Sequence, residues 1–96
     1  MHVIAKKALI RFWGSHADAK DPLIAWHSIC EKENFENFAQ LKQTFRLADK
    51  VGKFVVFNIG GNKYRLVAIV HFKYRKIYIR GVLSHREYDK EHWKRE

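Results

Sequence analysis

The sequence predicts a small α+β domain in which N-terminal helices pack on one face of an antiparallel sheet of three to four strands. Two observations lead to this class. Apolar residues recur at helical spacing in the first half of the chain, and from Phe54 onward β-branched and aromatic runs alternate with turn residues. The 96 residues, of which 47% are hydrophobic, suffice for one core, so we expect a single domain over residues 1–96.

Three helices are predicted before the sheet begins. The first covers about residues 5–15, where apolar side chains recur at helical spacing. The second begins at Asp21–Pro22 and runs to about Lys32, because aspartate can accept free backbone N–H bonds and proline is tolerated at the first helical position. Asn37, with Gln40 three positions later, has the form of a capping box and predicts a short third helix.

The second half of the chain is predicted to form a β-meander. Residues 60–62, Gly-Gly-Asn, supply the positive φ angles of a tight hairpin turn, and residues 73–75 mark a second turn. The predicted strands are Phe54–Ile59, Tyr64–Phe72 and Lys76–Leu83, with His2–Ile4 as a candidate fourth strand.

Positive charge is concentrated in one half of the chain. Residues 1–41 contain five basic and five acidic residues, whereas residues 42–96 contain 14 basic and 5 acidic residues and carry the whole net charge of +9. Such a field suits a polyanion, because each neutralised phosphate releases counterions. The alternative is a soluble surface that is basic without a polyanionic partner.

Several classes of protein are disfavoured. Cys30 is the only cysteine, so it cannot form an internal disulfide and has no partner for a cysteine-rich metal site. The N-terminus shows no positively charged leader followed by an apolar segment, and no apolar run is long enough to span a bilayer. We therefore expect a soluble cytoplasmic protein without a metal or cofactor.

Cationic side chains recur on one predicted face of the sheet. Alternation along the longest strand puts Lys63 and Arg65 on the face opposite the core, and Arg80 of the next strand can join them. Three cations on one surface can hold a phosphate and stabilise a phosphorane-like transition state. Exposed strand positions are also commonly basic for solubility; this interpretation is preferred for Lys63 taken alone and stays open for Arg65.

His85 and Tyr88 follow the last predicted strand, in a loop that can be aimed over the sheet. Histidine changes its charge near neutral pH, so it can serve as the base or the acid of RNA cleavage. Tyr88 can orient a ribose 2′-OH or stack on a base, although composition alone favours an anchor for the C-terminal segment. Trp93 can dock on the sheet or stack on a base.

Long stretches of the chain resemble the HigB toxin family, ribosome-dependent mRNA interferases of bacterial type II toxin–antitoxin modules within the RelE superfamily. The resemblance lies in V-F-N-I-G-G-N-K-Y-R-L (56–66) and Y-I-R-G-V-L-S-H-R-E-Y-D-K (78–90), and extends to A-D-A-K-D-P-L-I-A-W (17–26) and residues 41–52. It implies a RelE-like fold and attack of a 2′-OH on the adjacent phosphate of mRNA in the ribosomal 30S decoding site. It also implies neutralisation by a helix-turn-helix antitoxin of the HigA type.

The resemblance suggests roles for individual residues. Arg65 matches the family's strand arginine near the scissile phosphate, and His85 with Tyr88 matches its C-terminal catalytic region. We predict that His85 exchanges a proton, Arg65 binds the phosphate and Tyr88 orients the nucleotide. The assignment of general base and general acid stays open. The predicted RNA- or phosphate-binding residues are Lys63, Lys73, Arg80 and Lys90.

Two other functional classes fit the composition. One is a non-catalytic basic module that binds RNA or the ribosome, and the other is a structural partner whose positive face meets an acidic protein. Salt-sensitive binding would be common to all three classes, whereas cleaved mRNA would be produced only by a nuclease.

Overall fold

A five-stranded sheet forms the centre of the molecule, in a computed structural model that describes residues 1–90 and 92–94. The strand order is β1-β5-β4-β3-β2; β1 is parallel to β5 and the other neighbours are antiparallel. The α+β class is confirmed, but the sheet has one strand more than the predicted maximum, and the parallel β1–β5 pair makes it mixed where an antiparallel sheet was predicted. The strands are β1 (His2–Ile4), β2 (Asp49–Val51), β3 (Phe54–Ile59), β4 (Tyr64–His71) and β5 (Lys76–Ser84).

Among the described residues there are four α-helices: three lie between β1 and β2, and the fourth follows β5. They are α1 (Lys7–Ser15), α2 (Lys20–Lys32), α3 (Phe38–Thr44) and α4 (His85–Asp89). Short 3₁₀ turns cover Ala17–Ala19 and His92–Lys94. None of the helices described here is long and apolar enough to cross a membrane.

The beginnings of two helices test the capping predictions. The 3₁₀ turn before α2 leads directly into it, so the helix begins at Lys20 without a side-chain cap and the predicted Asp21 cap is wrong. The start of α3 is confirmed, because Asn37 Oδ1 accepts the backbone N–H of Gln40 at 2.9 Å. The Gln40 side chain accepts the N–H of Glu36, one residue earlier than in a standard capping box.

Apolar side chains lie on both faces of the sheet. Tyr64, Leu66 and Ala68 of β4 face the helices, as alternation predicts. Val67, on the opposite face, belongs to a smaller cluster that includes Trp93. The C-terminal segment therefore covers part of the face that the sequence analysis left uncovered. We call this opposite side of the sheet the second face.

A bulge in β5 decides which residues reach the second face. Val67 pairs with Gly81 and Ala68 with Ile79, so Arg80 is the extra residue of the bulge. After Gly81, two residues take the opposite faces to those that strict alternation would give them: Val82 packs against the helical core and Leu83 joins the second-face cluster.

Candidate functional site

The start of β4 and the start of α4 meet at one end of the sheet. Arg65 pairs with Leu83 across β4 and β5, and Ser84 ends β5 as the N-cap of α4. The backbone N–H of His85 donates to the carbonyl of Lys63 at 3.1 Å. The predicted strand arginine and the predicted histidine therefore lie at the same end of the sheet.

A capping box fixes where α4 begins. Ser84 Oγ accepts the backbone N–H of Glu87 at 3.2 Å, and Glu87 Oε1 accepts the N–H of Ser84 at 3.0 Å. Because both free N–H groups are satisfied, the helix starts directly after β5, and the predicted loop at His85 is wrong. The S-x-x-E spacing at residues 84–87 was a local signal for this helix.

The guanidinium of Arg65 is oriented by the β3–β4 turn. Its Nη1 donates to the carbonyls of Asn62 and Tyr64 at 3.2 Å each, and its Nη2 donates to Asn62 Oδ1 at 2.6 Å. The centre of the guanidinium lies 5.4 Å from the centroid of the Tyr88 ring. These bonds use three of five N–H donors, so the group is held in place while keeping donors for an anion.

His85 has a carboxylate partner within α4. Its Nδ1 lies 3.1 Å from Asp89 Oδ2, and about half of each side chain is exposed (48% and 63%). When Nδ1 carries the hydrogen and donates it to Asp89, Nε2 is left as the proton acceptor. The partnership with Asp89 could not be predicted from the sequence, because a spacing of four residues indicates contact only once the segment is known to be helical.

Tyr88 contacts both the arginine and the C-terminal segment. Its ring stacks on Trp93 with centroids 5.0 Å apart and an interplanar angle of 14°. Trp93 Nε1 donates to the Tyr88 carbonyl at 3.0 Å, and its ring meets Phe54 edge-on at 5.7 Å. Trp93 therefore docks on the sheet, and Tyr88 has the anchoring contacts that were left open as an alternative.

Lys63 does not point the same way as Arg65. Its Nζ donates to Asp18 Oδ2 at 2.6 Å, and the adjacent Tyr64 hydroxyl donates to Asp18 Oδ1. Asp18 lies in the 3₁₀ turn before α2, so Lys63 reaches toward the helical layer. The expected shared orientation is wrong, because Lys63 belongs to the turn before β4, where strand alternation does not apply.

The other predicted cations divide into two groups. Lys73 lies in the β4–β5 turn, about 25 Å from Arg65 by the rise of an extended strand. Arg80 is exposed in the β5 bulge and lines a cavity of about 180 Å³ beside Trp93. Lys90 is exposed at the end of α4. Arg80 and Lys90 thus border the second face near the site, whereas Lys73 does not.

This end of the sheet holds three kinds of group that can act on a phosphodiester: an oriented guanidinium, a histidine paired with a carboxylate, and an aromatic ring. A guanidinium can bind a phosphate oxygen, and a histidine can move a proton near neutral pH. Among the residues that the structure describes, no three histidine, cysteine or acidic side chains are grouped as metal ligands.

Comparisons with known proteins identify the family of this chain. Residues 19–91 match the family model of the RelE-like toxic component of a toxin–antitoxin system, which defines the class of protein. The chain belongs to the HigB toxin family. It is 39% identical over 92 residues to the mRNA interferase toxin HigB of Escherichia coli K12, covering 93% of this chain and 88% of that protein. An mRNA interferase HigB of Escherichia coli O6:H1 is 23% identical over 94% of this chain and 90% of its own length.

Proposed function

We propose that this protein is an mRNA interferase that cuts mRNA in the ribosomal decoding site and so inhibits translation. The observation that carries the proposal is that Arg65, oriented by Asn62, lies over the ring of Tyr88 in α4, the helix that begins at His85. The substrate class comes from the relatives, which are named mRNA interferases.

In the proposed reaction a 2′-oxygen attacks the adjacent phosphorus. A base removes the 2′-OH proton, the new P–O2′ bond forms, and the P–O5′ bond breaks to give a cyclic phosphate and a 5′-hydroxyl that takes up a proton. Arg65 binds a non-bridging oxygen and stabilises the charge that develops there. His85 exchanges one of the two protons, and Asp89 orients its ring.

The basic half of the chain supports the proposed partners. The charge of +9 lies in residues 42–96, which include β4, β5 and α4, so the mRNA and the ribosome meet a positive surface. The helix-turn-helix antitoxin of the HigA type is the proposed neutralising partner, in keeping with a family of toxic components of toxin–antitoxin systems. All of these partners place the protein in the cytoplasm.

Primer extension on a defined mRNA in a translating extract tests the proposal. We expect codon-phased cuts that require ribosomes and that fall about 10²- to 10⁴-fold with His85→Ala. Arg65→Ala is expected to reduce the same cuts. His71→Ala and Arg11→Ala are matched controls, because His71 is exposed at the far end of β4 and Arg11 on α1.

Two results would contradict the proposal. Cuts that persist at full rate in a His85→Ala, Arg65→Ala double variant would show that the site is elsewhere. An absence of cuts, with the protein still bound to ribosomes, would favour the non-catalytic RNA- or ribosome-binding module.

A further inference from the structure

We propose that a groove next to Arg65 binds one nucleobase of the mRNA, beside the scissile phosphate. This inference rests on the proposed function of Arg65 as a phosphate ligand. The groove has a volume of about 400 Å³, within the range of small-ligand pockets. Its lining includes Thr44, Phe45, Arg46, Leu47, Asn58 and Gly61.

The groove lies where the sheet leaves a strand edge without a neighbouring strand. β2 pairs only with Phe54–Val56, so the outer edge of Phe57–Ile59 has no strand beside it among the described residues. The segment that follows α3, residues 45–48, forms the other wall. The groove therefore exists because β2 is too short to pair with the end of β3.

Asn58 connects this groove to the proposed catalytic site. It pairs directly with Arg65 across β3 and β4, and directly opposed side chains share a face, with Cβ atoms about 4.5–5.5 Å apart. Asn58 is half-buried. A nucleotide whose phosphate is bound by Arg65 therefore has a neighbouring base within reach of the Asn58 amide.

The lining residues have the chemistry that a base requires. An amide offers a donor and an acceptor together, which can pair with the edge of a base such as adenine. Phe45 and Leu47 provide apolar surface for the base faces, and Leu47 is 69% exposed. The Phe45 ring is already fixed by an edge-on contact with Phe57 at 5.1 Å, so part of this wall is preorganised.

Charge favours RNA over a protein segment as the occupant. Arg46 is exposed in the groove wall, and its guanidinium can contact the next phosphate of the strand. Asn58, which lines the groove, is also the strand partner of Arg65. A segment of the antitoxin is the competing occupant.

The distribution of cut sites tests the groove. Asn58→Ala, Asn58→Asp and Leu47→Ala would be compared with wild type on an mRNA that contains every sense codon, in a translating extract. We expect Asn58→Ala to reduce discrimination between bases at one fixed position beside the cut by about tenfold, while cuts in other contexts continue. Asn58→Asp should change which base is preferred. Ile24→Ala is the control, because that exposed side chain lies on α2, away from the groove.

Three results would overturn the inference. The first is an unchanged base distribution in both Asn58 variants, and the second is an equal loss of cutting at every codon in variants that retain the wild-type melting temperature. The third is weaker neutralisation by the antitoxin with an unchanged base distribution, which would assign the groove to that partner.

A readout independent of cutting separates failure of this inference from failure of the proposed function. Ribosomes carrying mRNA with 4-thiouridine would be irradiated in the presence of the protein, and the cross-linked peptides mapped. Cross-links within residues 44–48 or 57–61 support the groove even if no cutting is seen. Cutting without any such cross-link, tested with 4-thiouridine at each position around the cut, would overturn it.

Discussion

The Nζ atom of Lys63 lies 2.6 Å from Oδ2 of Asp18 and joins the β3–β4 turn to the turn that precedes α2. The Tyr64 hydroxyl donates to the other oxygen of the same carboxylate. The Tyr64 ring in turn meets the rings of Phe12 and His16 edge-on at 5.1 and 5.5 Å. One carboxylate thus holds Lys63 and Tyr64, which lie between Asn62 and the Arg65 side chain that Asn62 orients.

Asp18→Asn is expected to remove part of the acid dependence of stability. Hydrogen bonds from Lys63 and Tyr64 lower the pKa of Asp18 below its ordinary 3.8. A carboxylate whose pKa is lower in the folded state stabilises the fold above the unfolded value, and this contribution is lost as the pH falls through the folded pKa. Melting temperatures measured as the pH falls from neutral should therefore decline less in Asp18→Asn than in wild type.

The same contact predicts an effect at alkaline pH. Hydrogen bonding to Asp18 raises the pKa values of Lys63 and Tyr64 above 10.5 and 10.0. Their contribution is present below those values and is lost as the pH rises through the folded pKa values. Asp21→Asn removes an equal charge nearby and serves as the control for both ends of the pH range. Identical pH profiles for wild type and Asp18→Asn would refute this account.

Arg65→Lys is expected to reduce mRNA cutting about 10²- to 10³-fold, although the charge is kept. Lysine has no planar guanidinium, so it cannot donate to Asn62 and lie over the Tyr88 ring at the same time. The rate of cutting by purified protein on programmed ribosomes measures the effect, and Arg11→Lys is the control. A rate close to wild type would mean that positive charge alone suffices.

Asp89→Asn is expected to lower kcat about tenfold, less than His85→Ala, with little change in KM. The effect is expected to be smaller because the carboxylate acts only through the His85 ring, which it contacts at 3.1 Å. Loss of the general acid or base itself costs about 10²- to 10⁴-fold in rate. Single-turnover and steady-state cutting on programmed ribosomes would measure both constants. Asp49→Asn, at an exposed position of β2, is the control. A rise in KM without a fall in kcat would argue for RNA binding by Asp89.

Trp93→Ala is expected to lower the free energy of unfolding by about 1–3 kcal/mol, because the half-buried ring stacks on Tyr88 and contacts Phe54. Tyr88→Phe keeps the stacked ring and should leave stability near wild type. Urea unfolding measures both variants. Reduced cutting by Tyr88→Phe would then assign a role to the hydroxyl, whereas wild-type cutting would leave Tyr88 as an anchor.

Lys73→Ala is expected to leave the salt dependence of RNA binding unchanged, because Lys73 lies at the far end of β4. Arg80→Ala, on the second face, should reduce the slope of log K against log salt by about 0.7 if Arg80 contacts one phosphate of single-stranded RNA. Binding titrations of wild type and both variants on single-stranded RNA at several salt concentrations distinguish them. A reduced slope for Lys73→Ala would restore the role predicted from sequence.

Features with local causes could be predicted from sequence. The start of α3 depends on Asn37 and the backbone three residues later, and the β3–β4 hairpin depends on Gly60 and Gly61, whose φ angles are +63° and +68°. The core face of β4 follows from simple alternation. The two shortest strands could not be predicted in this way: β1 was only a candidate, and β2 was not predicted. Three residues are too few for a periodic pattern, and each of these strands is stabilised by the strand beside it in the sheet.

Composition and local patterns sufficed to predict the α+β class, the basic half of the chain and the residue types of the candidate site. Which side chains contact one another depends on the packing of distant segments. Lys63 pairs with a residue 45 positions away, the bulge at Arg80 moves Leu83 to the second face, and His85 meets Asp89 because α4 forms. The physical reason is that periodicity and caps act over a few residues, whereas contacts between distant segments depend on how the whole sheet and its helices pack.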